Sequence, residues 1–244
     1  MLKDLLIIAA IIIEICFPLA LAIFFKKRFK VSWSIFFVGL ALFLASLIRI
    51  PLNNYVSGIL KYYFLGNNLI LVSILFPSLT AGIFEEGFRT LGIGLIIRKK
   101  TFEKGLMYGL GHGGGGESMI LVGGSLLANF IIYKFFPSIP GASILKSQFE
   151  LMKWYMPLVG AGERVLTVII QIAFSVLIMH AFINRKYYFI IYAILAHIVV
   201  DFLAVYFNIK FGIFWAEISV IIFALISIFI ILFFRLKDSA KNFE

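Results

Sequence analysis

Residues 213–234 read IFWAEISVIIFALISIFIILFF, a run of 22 residues that is apolar almost from end to end. At about 1.5 Å per residue a helix of this length reaches roughly 33 Å, enough to cross a hydrocarbon layer of about 30 Å. Inside that layer every backbone N–H and C=O needs an internal partner, so only helices or a closed barrel can cross it. The run shows none of the in-out alternation of a barrel strand, which leaves the helix.

Similar runs recur through the 244 residues, of which 62% are hydrophobic and 14% charged. A water-soluble domain is excluded by that balance. The spacing predicts an all-α polytopic bundle, a single transmembrane domain over 1–244. About seven spans are expected, at 4 to 25, 32 to 51, 68 to 97, 104 to 136, 157 to 183, 187 to 208 and 212 to 234. The third and fourth exceed what a crossing requires, so they are expected to tilt, break or extend beyond the bilayer. The only sizeable loop is expected at roughly 137 to 156, around Pro137, Pro140 and Gly141.

The first span reads as a retained anchor rather than a signal peptide. Lys3 is offset by Asp4, while Lys26, Lys27, Arg28 and Lys30 follow the span. Of the 22 Lys and Arg, 13 fall at one set of span ends, at 26 to 30, 98 to 104, 185 to 186 and 235 to 241. Six fall at the other, Lys3, Lys61, Lys134, Lys146, Lys153 and Lys210, and Arg49, Arg89 and Arg164 lie in or at the edges of spans. This bias predicts an outer N-terminus and a cytoplasmic C-terminus. Clusters of cations at span ends match anionic lipid headgroups and need no nucleic-acid partner. Cys16 stands alone, so no intrachain disulfide or thiolate metal cage exists.

Function is therefore sought in the ionisable groups inside the spans, each costing about 2.5–3.5 kcal/mol to insert. The third span carries Glu85, Glu86 and Arg89; Glu85 and Arg89, four apart, suit an internal ion pair that leaves Glu86 for another partner. The fourth carries His112, then Gly113 to Gly116, then Glu117. Each glycine costs about 0.8–1 kcal/mol in a helix relative to Ala, so the run serves close packing, with Gly109 and Gly113 as a small-xxx-small pair, or an opened helix. His112 and Glu117, five apart, share a straight helical face only if the glycines distort it. The sixth span places His197 and Asp201, four apart, on one face.

Counted from the same membrane side, Glu85, Glu86, His112, Glu117, His197 and Asp201 lie roughly 12 to 21 Å deep, in one layer. In the fifth span Glu163 and Arg164 sit near one end and His180 near the other, too far apart to meet at one centre. Two imidazoles and a carboxylate suit zinc with an open position for water, and a further Glu suits the proton of that water. Without metal, a Glu and a His activate water themselves while the second His and Asp stabilise the oxyanion. Neither His-Glu-x-x-His nor Gly-x-Ser-x-Gly occurs.

At Glu85-Glu86-x-x-Arg89, the glycine-rich run from His112 to Glu117, Glu163-Arg164 with His180, and His197-x-x-x-Asp201, the chain resembles the YhfC-type intramembrane metalloproteases. It is more distantly similar to the PrsW and CAAX-box (Abi) membrane endopeptidases. The resemblance implies a multi-span hydrolase of a bacterial plasma membrane acting on a membrane-associated protein or peptide. It further implies Glu85 or Glu86, His112 and His197 at the centre, with Asp201 where relatives often carry Asn, and adds Glu117, Glu163 and His180 as candidates. The reading that follows makes Glu85 or Glu86 the general base, His112, His197 and Glu86 the zinc ligands, Arg89 the holder of the glutamate pair and Asp201 the partner of His197 or of the oxyanion. Water is expected through a cytoplasm-facing opening. The alternatives are a small-solute transporter with a carboxylate and His proton relay, and a non-catalytic immunity or maturation factor.

Overall fold

The computed structural model describes residues 2–240, and their side chains as far as Leu236. Seven stretches among the described residues are long and apolar enough to cross a membrane: Leu2–Phe29, Trp33–Tyr63, Gly66–Ile96, Phe102–Phe135, Met156–Ile183, Tyr188–Phe211 and Ile213–Leu236. The helices are α1 (Leu2–Phe29), α2 (Trp33–Ser46), α3 (Arg49–Tyr63), α4 (Gly66–Leu91), α5 (Phe102–Gly109), α6 (Ser125–Phe135), α7 (Ala142–Leu151), α8 (Met156–Ile183), α9 (Tyr188–Phe211) and α10 (Ile213–Ala240). A π-helical turn, Gly92–Ile96, ends the α4 span, and a longer π-helical segment, Leu110–Gly124, joins α5 to α6. Large apolar residues such as Leu225 and Phe229 of α10 point outward, the arrangement a lipid solvent favours.

Two helices lie where the sequence suggested none. The second span runs past 51 because Pro51 falls in the first turn of α3, where its missing N–H breaks no hydrogen bond. Asn53 of α3 then meets Thr80 of α4 at 2.7 Å. The expected loop at 137 to 156 contains α7, which buries Phe149 against Phe130 and Tyr133 of α6. Gly141 precedes it at φ +87°, a left-handed turn that glycine enters freely.

The bundle is organised around α8, in which every residue from Ile170 to Ala181 is buried. Helices α1, α5 and α10 pack on it, and α9 lies between α4 and α10. The π-helical segment is wedged against α1 and α2. A Cβ on Gly111 would strike the carbonyl of Phe36 in α2, and one on Gly113 would strike the side chain of Gln171 in α8. The glycine run thus brings a backbone close to two neighbours at once, and Gly109 and Gly113 both face α8 as the small-xxx-small reading expected.

Lys3 bonds the carbonyl oxygens of Glu150 and Met152, Lys134 pairs with Asp4 at 2.9 Å, and Lys210 bonds Asn67 at 3.0 Å. These contacts gather the start of α1, the end of α6, the end of α7, the start of α4 and the end of α9 at one end of the bundle, the Lys3 end. The cation cluster after α1 marks the opposite, Lys26 end. Of the cations counted there, Lys241 lies outside the described residues, as does the side chain of Lys237.

Candidate active site

Spans contributed by α4, the π-helical segment, α8 and α9 bring their ionisable groups together halfway through the bundle. On α4, Glu85, Glu86 and Arg89 are 3%, 0% and 0% exposed, so each must find its partners inside. Arg49, at the start of α3, donates to Glu85 Oε1 at 2.7 Å. Arg89 stands 3.3 Å from Glu86 Oε2 through its Nε, and its other nitrogens reach α8: Nη1 donates to the Gln171 carbonyl at 2.6 Å and to Ser175 Oγ at 3.0 Å, and Nη2 to Gln171 Oε1. The expected Glu85–Arg89 pair is therefore replaced. Residues three apart are also neighbours on a helix, and the pull of α8 on the guanidinium selects Glu86, leaving Glu85 to Arg49.

His112 is fully buried on the π-helical segment, with Phe43 edge-on at 5.3 Å and Tyr108 stacked at 6.1 Å between ring centroids. Neither of its ring nitrogens has a hydrogen-bond partner, and Nε2 lies 3.9 Å from Glu85 Oε2. His197 on α9 stacks on Phe174 and meets Glu86 Oε1 through Nδ1 at 2.7 Å. Its Nε2 is thereby directed at Glu85 Oε2, 3.8 Å away, and Asp201 Oδ2, 3.6 Å away. A single carboxylate oxygen of Glu85 thus faces the Nε2 atoms of two imidazoles from two other spans. Glu86, expected as a metal ligand, lies instead behind His197, on the nitrogen turned away from that centre.

Glu117 joins the set because the π-helix bonds residue i to i+5. That pitch stacks residues five apart, which an α-helix would splay, so the distortion that the glycines permit is the one His112 and Glu117 need. Gln171 completes the network. Its Nε2 donates to Glu117 Oε2 at 2.9 Å and to Glu85 Oε2 at 3.4 Å, while its Oε1 accepts from Arg89. On the Lys3 side, Arg164 bonds Glu117 Oε1 at 2.8 Å and also Glu163. His180 is not part of this cluster; it lies nine residues along α8 from Gln171, about 13 Å away, bonded to Asn184 at 3.0 Å and packed between Phe189 and Phe234.

Gln171 and Arg49 were not assigned roles from the sequence, although a signal existed. Gln171 follows Arg164 by seven residues, two turns along the same face of α8, and Arg49 is a cation at a span edge. Glu14 on α1, 3% exposed, was likewise passed over inside an apolar run.

A cavity of about 430 Å³ lies beside this centre, lined by Arg49, Ser73, Glu117, Glu163, Arg164 and Asp201 among others. Of these, Arg49, Glu117 and Asp201 are the partners of Glu85, Gln171 and His197 rather than those residues themselves. A smaller one of about 110 Å³ shares Glu163 with it and continues to Asn208, Ile213 and Glu217. Both lie toward the Lys3 end, opposite to the expected opening. Toward the Lys26 end, Arg89, Ser175 and Gln171 knit α4 to α8, and Tyr108 covers His112.

Two imidazoles and a carboxylate are donor types that zinc accepts. His112 is a buried imidazole with neither ring nitrogen in a close hydrogen bond, and His197 is fixed through Nδ1 so that Nε2 is presented, as in the His of many metal centres. Among the described residues no three His, Cys, Asp or Glu side chains already stand at metal-holding spacing. Of the candidate ligands, His197 Nε2 and Asp201 Oδ2 stand 3.6 Å apart, beyond the roughly 3.3 Å between tetrahedral ligands bonded at about 2.0–2.1 Å, and His112 faces the same Glu85 oxygen as His197 from another span.

No solved structure matches the chain. A curated relative, described as "Uncharacterized membrane protein YhfC" of Bacillus subtilis (strain 168), is 29% identical over 196 residues, covering 74% of this chain and 75% of that protein. The description of the YhfC intramembrane metalloprotease family fits residues 11–223, nearly the whole bundle with every residue of the central cluster, and the chain belongs to that family.

Proposed function

We propose that the protein hydrolyses a peptide bond of a membrane-associated protein or peptide at the Glu85–His112–His197 centre. The observation that carries this reading is Glu85 Oε2 standing 3.9 and 3.8 Å from two Nε2 atoms in a buried layer, with Arg49, Glu117 and Asp201 of the same network lining a cavity. Glu85 takes the proton of the attacking water. Its other oxygen is tied to Arg49, which aims Oε2, reached by Gln171 at 3.4 Å, at the imidazoles. His112 and His197 through Nε2, with Asp201, would hold zinc, which when bound supplies Lewis-acid polarisation of the scissile carbonyl and of water. Glu86 holds His197 in the orientation this needs, and Arg89 holds Glu86. By the cation bias the Lys3 end faces outward, so water and substrate reach the site from the outer side of a bacterial plasma membrane.

The test uses purified protein in lipid nanodiscs, a set of quenched fluorescent transmembrane peptides, and zinc content measured on the same samples. Wild type is expected to cleave at least one peptide and to carry near-stoichiometric zinc. Glu85→Gln should lose cleavage and keep zinc, while His112→Ala and His197→Ala lose both. Cleavage that survives Glu85→Gln, or zinc that survives both His substitutions in folded protein, would overturn the assignment.

A further inference from the structure

A second buried carboxylate, on the far side of Arg164 from the Glu85 centre, lines another cavity. Glu14 lies 12 residues into α1, about 18 Å from its start. It is 3% exposed, and its Oε2 has no hydrogen-bond partner. Its backbone carbonyl accepts from Ser118 Oγ at 2.9 Å. It forms part of the wall of a cavity of about 510 Å³ shared with Leu126, Met152, Lys153, Tyr155 and Ile213, at the junction of α1, α6, α7, α8 and α10. The residues from Met152 to Pro157 that border it belong to the Lys3 end, so the cavity leads from that end down to the carboxylate.

Apart from Lys153, which lies against Tyr155 in the cavity wall, the nearby cations are committed elsewhere. Lys3 is held by two backbone carbonyls, Lys134 by Asp4, and Arg164 by Glu117 and Glu163. Around Arg164 the bundle interior holds Glu14, Glu117, Glu163 and Glu217, while the other guanidinium of these cavities, Arg49, is paired with Glu85; the result is a local excess of negative charge where each ionised group is costly. At the Glu14 base of the cavity a cationic or neutral group is therefore favoured over an anion. An inorganic ion is a poor match, since calcium takes six to eight oxygen ligands and the walls beyond Glu14 are mainly apolar. An ammonium on an apolar body suits one carboxylate at the base and Leu126, Met152 and Ile213 around it. At the rim, Lys153 already places an ammonium 6.0 Å above the Tyr155 ring, a cation site of the kind aromatic faces provide.

We infer that this cavity binds an organic amine, a primary ammonium group on a small apolar body, with Glu14 as its counter-ion. The inference stands apart from the hydrolytic reading, because no residue of the Glu85 centre lines the cavity.

Equilibrium dialysis of radiolabelled leucinamide against the full-length protein in nanodiscs, corrected with empty nanodiscs, tests it. Wild type should bind saturably, with N-acetylleucinamide, which lacks the charge, failing to compete. Glu14→Gln should weaken binding by at least about tenfold, the order of a lost charged hydrogen bond, while Glu14→Asp keeps a measurable share and both variants keep the wild-type unfolding midpoint. Competition by sodium or potassium as effective as by unlabelled leucinamide would make this an inorganic cation site and overturn the proposal. So would the absence of saturable binding, which would leave Glu14 satisfied by a proton alone, or equal binding by wild type and Glu14→Gln.

Discussion

Glu86 Oε1 lies 2.7 Å from His197 Nδ1, across a fully buried contact between α4 and α9. This bond decides which ring nitrogen faces the site, since an imidazole engaged at Nδ1 presents Nε2. Partners of this kind are worth about 10–100-fold in metal affinity or activity. Glu86→Ala should therefore lower zinc affinity, read by chelator competition, within that range, and Glu86→Gln, which retains an acceptor oxygen, should lower it less. An unchanged affinity in Glu86→Ala would show that Phe174 stacking alone fixes the ring.

Arg89 has no exposed surface and ties Glu86 of its own helix to Gln171 and Ser175 of α8. Arg89→Met would leave Glu86 as a buried carboxylate without its cation, a change that costs about 3–5 kcal/mol in buried pairs. The loss should appear in detergent-driven unfolding of the purified protein. In the double variant Glu86→Gln/Arg89→Met the penalty should be smaller than the sum of the single ones, since the unpaired charge has gone. Strict additivity would mean that Arg89 acts through α8 alone.

The seven spans were legible because apolar runs in a bilayer admit few alternatives, and Glu85, His112 and His197 could be matched in depth because a helix has a fixed rise. Depth says nothing about azimuth. It therefore could not choose between Glu85 and Glu86 for Arg89, nor show that Glu86 stands behind His197. The π-helical pitch of Leu110–Gly124 was hidden for a related reason. Four glycines announce freedom of the backbone, but only the neighbours Phe36 and Gln171 determine how it is used. Gln171 escaped notice because an uncharged amide inside a span carries a weaker signal than a carboxylate. The end toward which the cavity lies depends on how residues of α3, α4, α8, α9 and α10 come together around it, which no local pattern encodes.

Gly111 and Gly58 separate packing from helix propensity. A Cβ at Gly111 would collide with the Phe36 backbone, which has no rotamer by which to yield, so Gly111→Ala should destabilise by the 1–3 kcal/mol typical of overpacking or more. Gly58 lies within α3 with nothing inside 4 Å of the added atom. Gly58→Ala should stabilise by about 0.4–1 kcal/mol. Unfolding midpoints of the two variants measured side by side should move in opposite directions, and a tolerated Gly111→Ala would contradict the close approach of the π-helical segment to α2.

Gln171 offers the sharpest test of the network, because its amide has one orientation that satisfies all its partners. Its oxygen accepts from Arg89 while its nitrogen donates to Glu117 at 2.9 Å and Glu85 at 3.4 Å. Gln171→Leu removes these bonds at similar volume, and hydrogen bonds to charged groups are each worth about 1.5–3 kcal/mol. Gln171→Glu keeps an acceptor for Arg89 but sets a third carboxylate against two others. Both variants should unfold more readily than wild type. They should differ in turnover: Gln171→Leu frees Glu85 Oε2 and leaves it aimed by Arg49, whereas Gln171→Glu adds a competitor for the proton of water. Peptide cleavage is therefore expected to fall further in Gln171→Glu than in Gln171→Leu, and the reverse order would show that Gln171, rather than Arg49, aims the base.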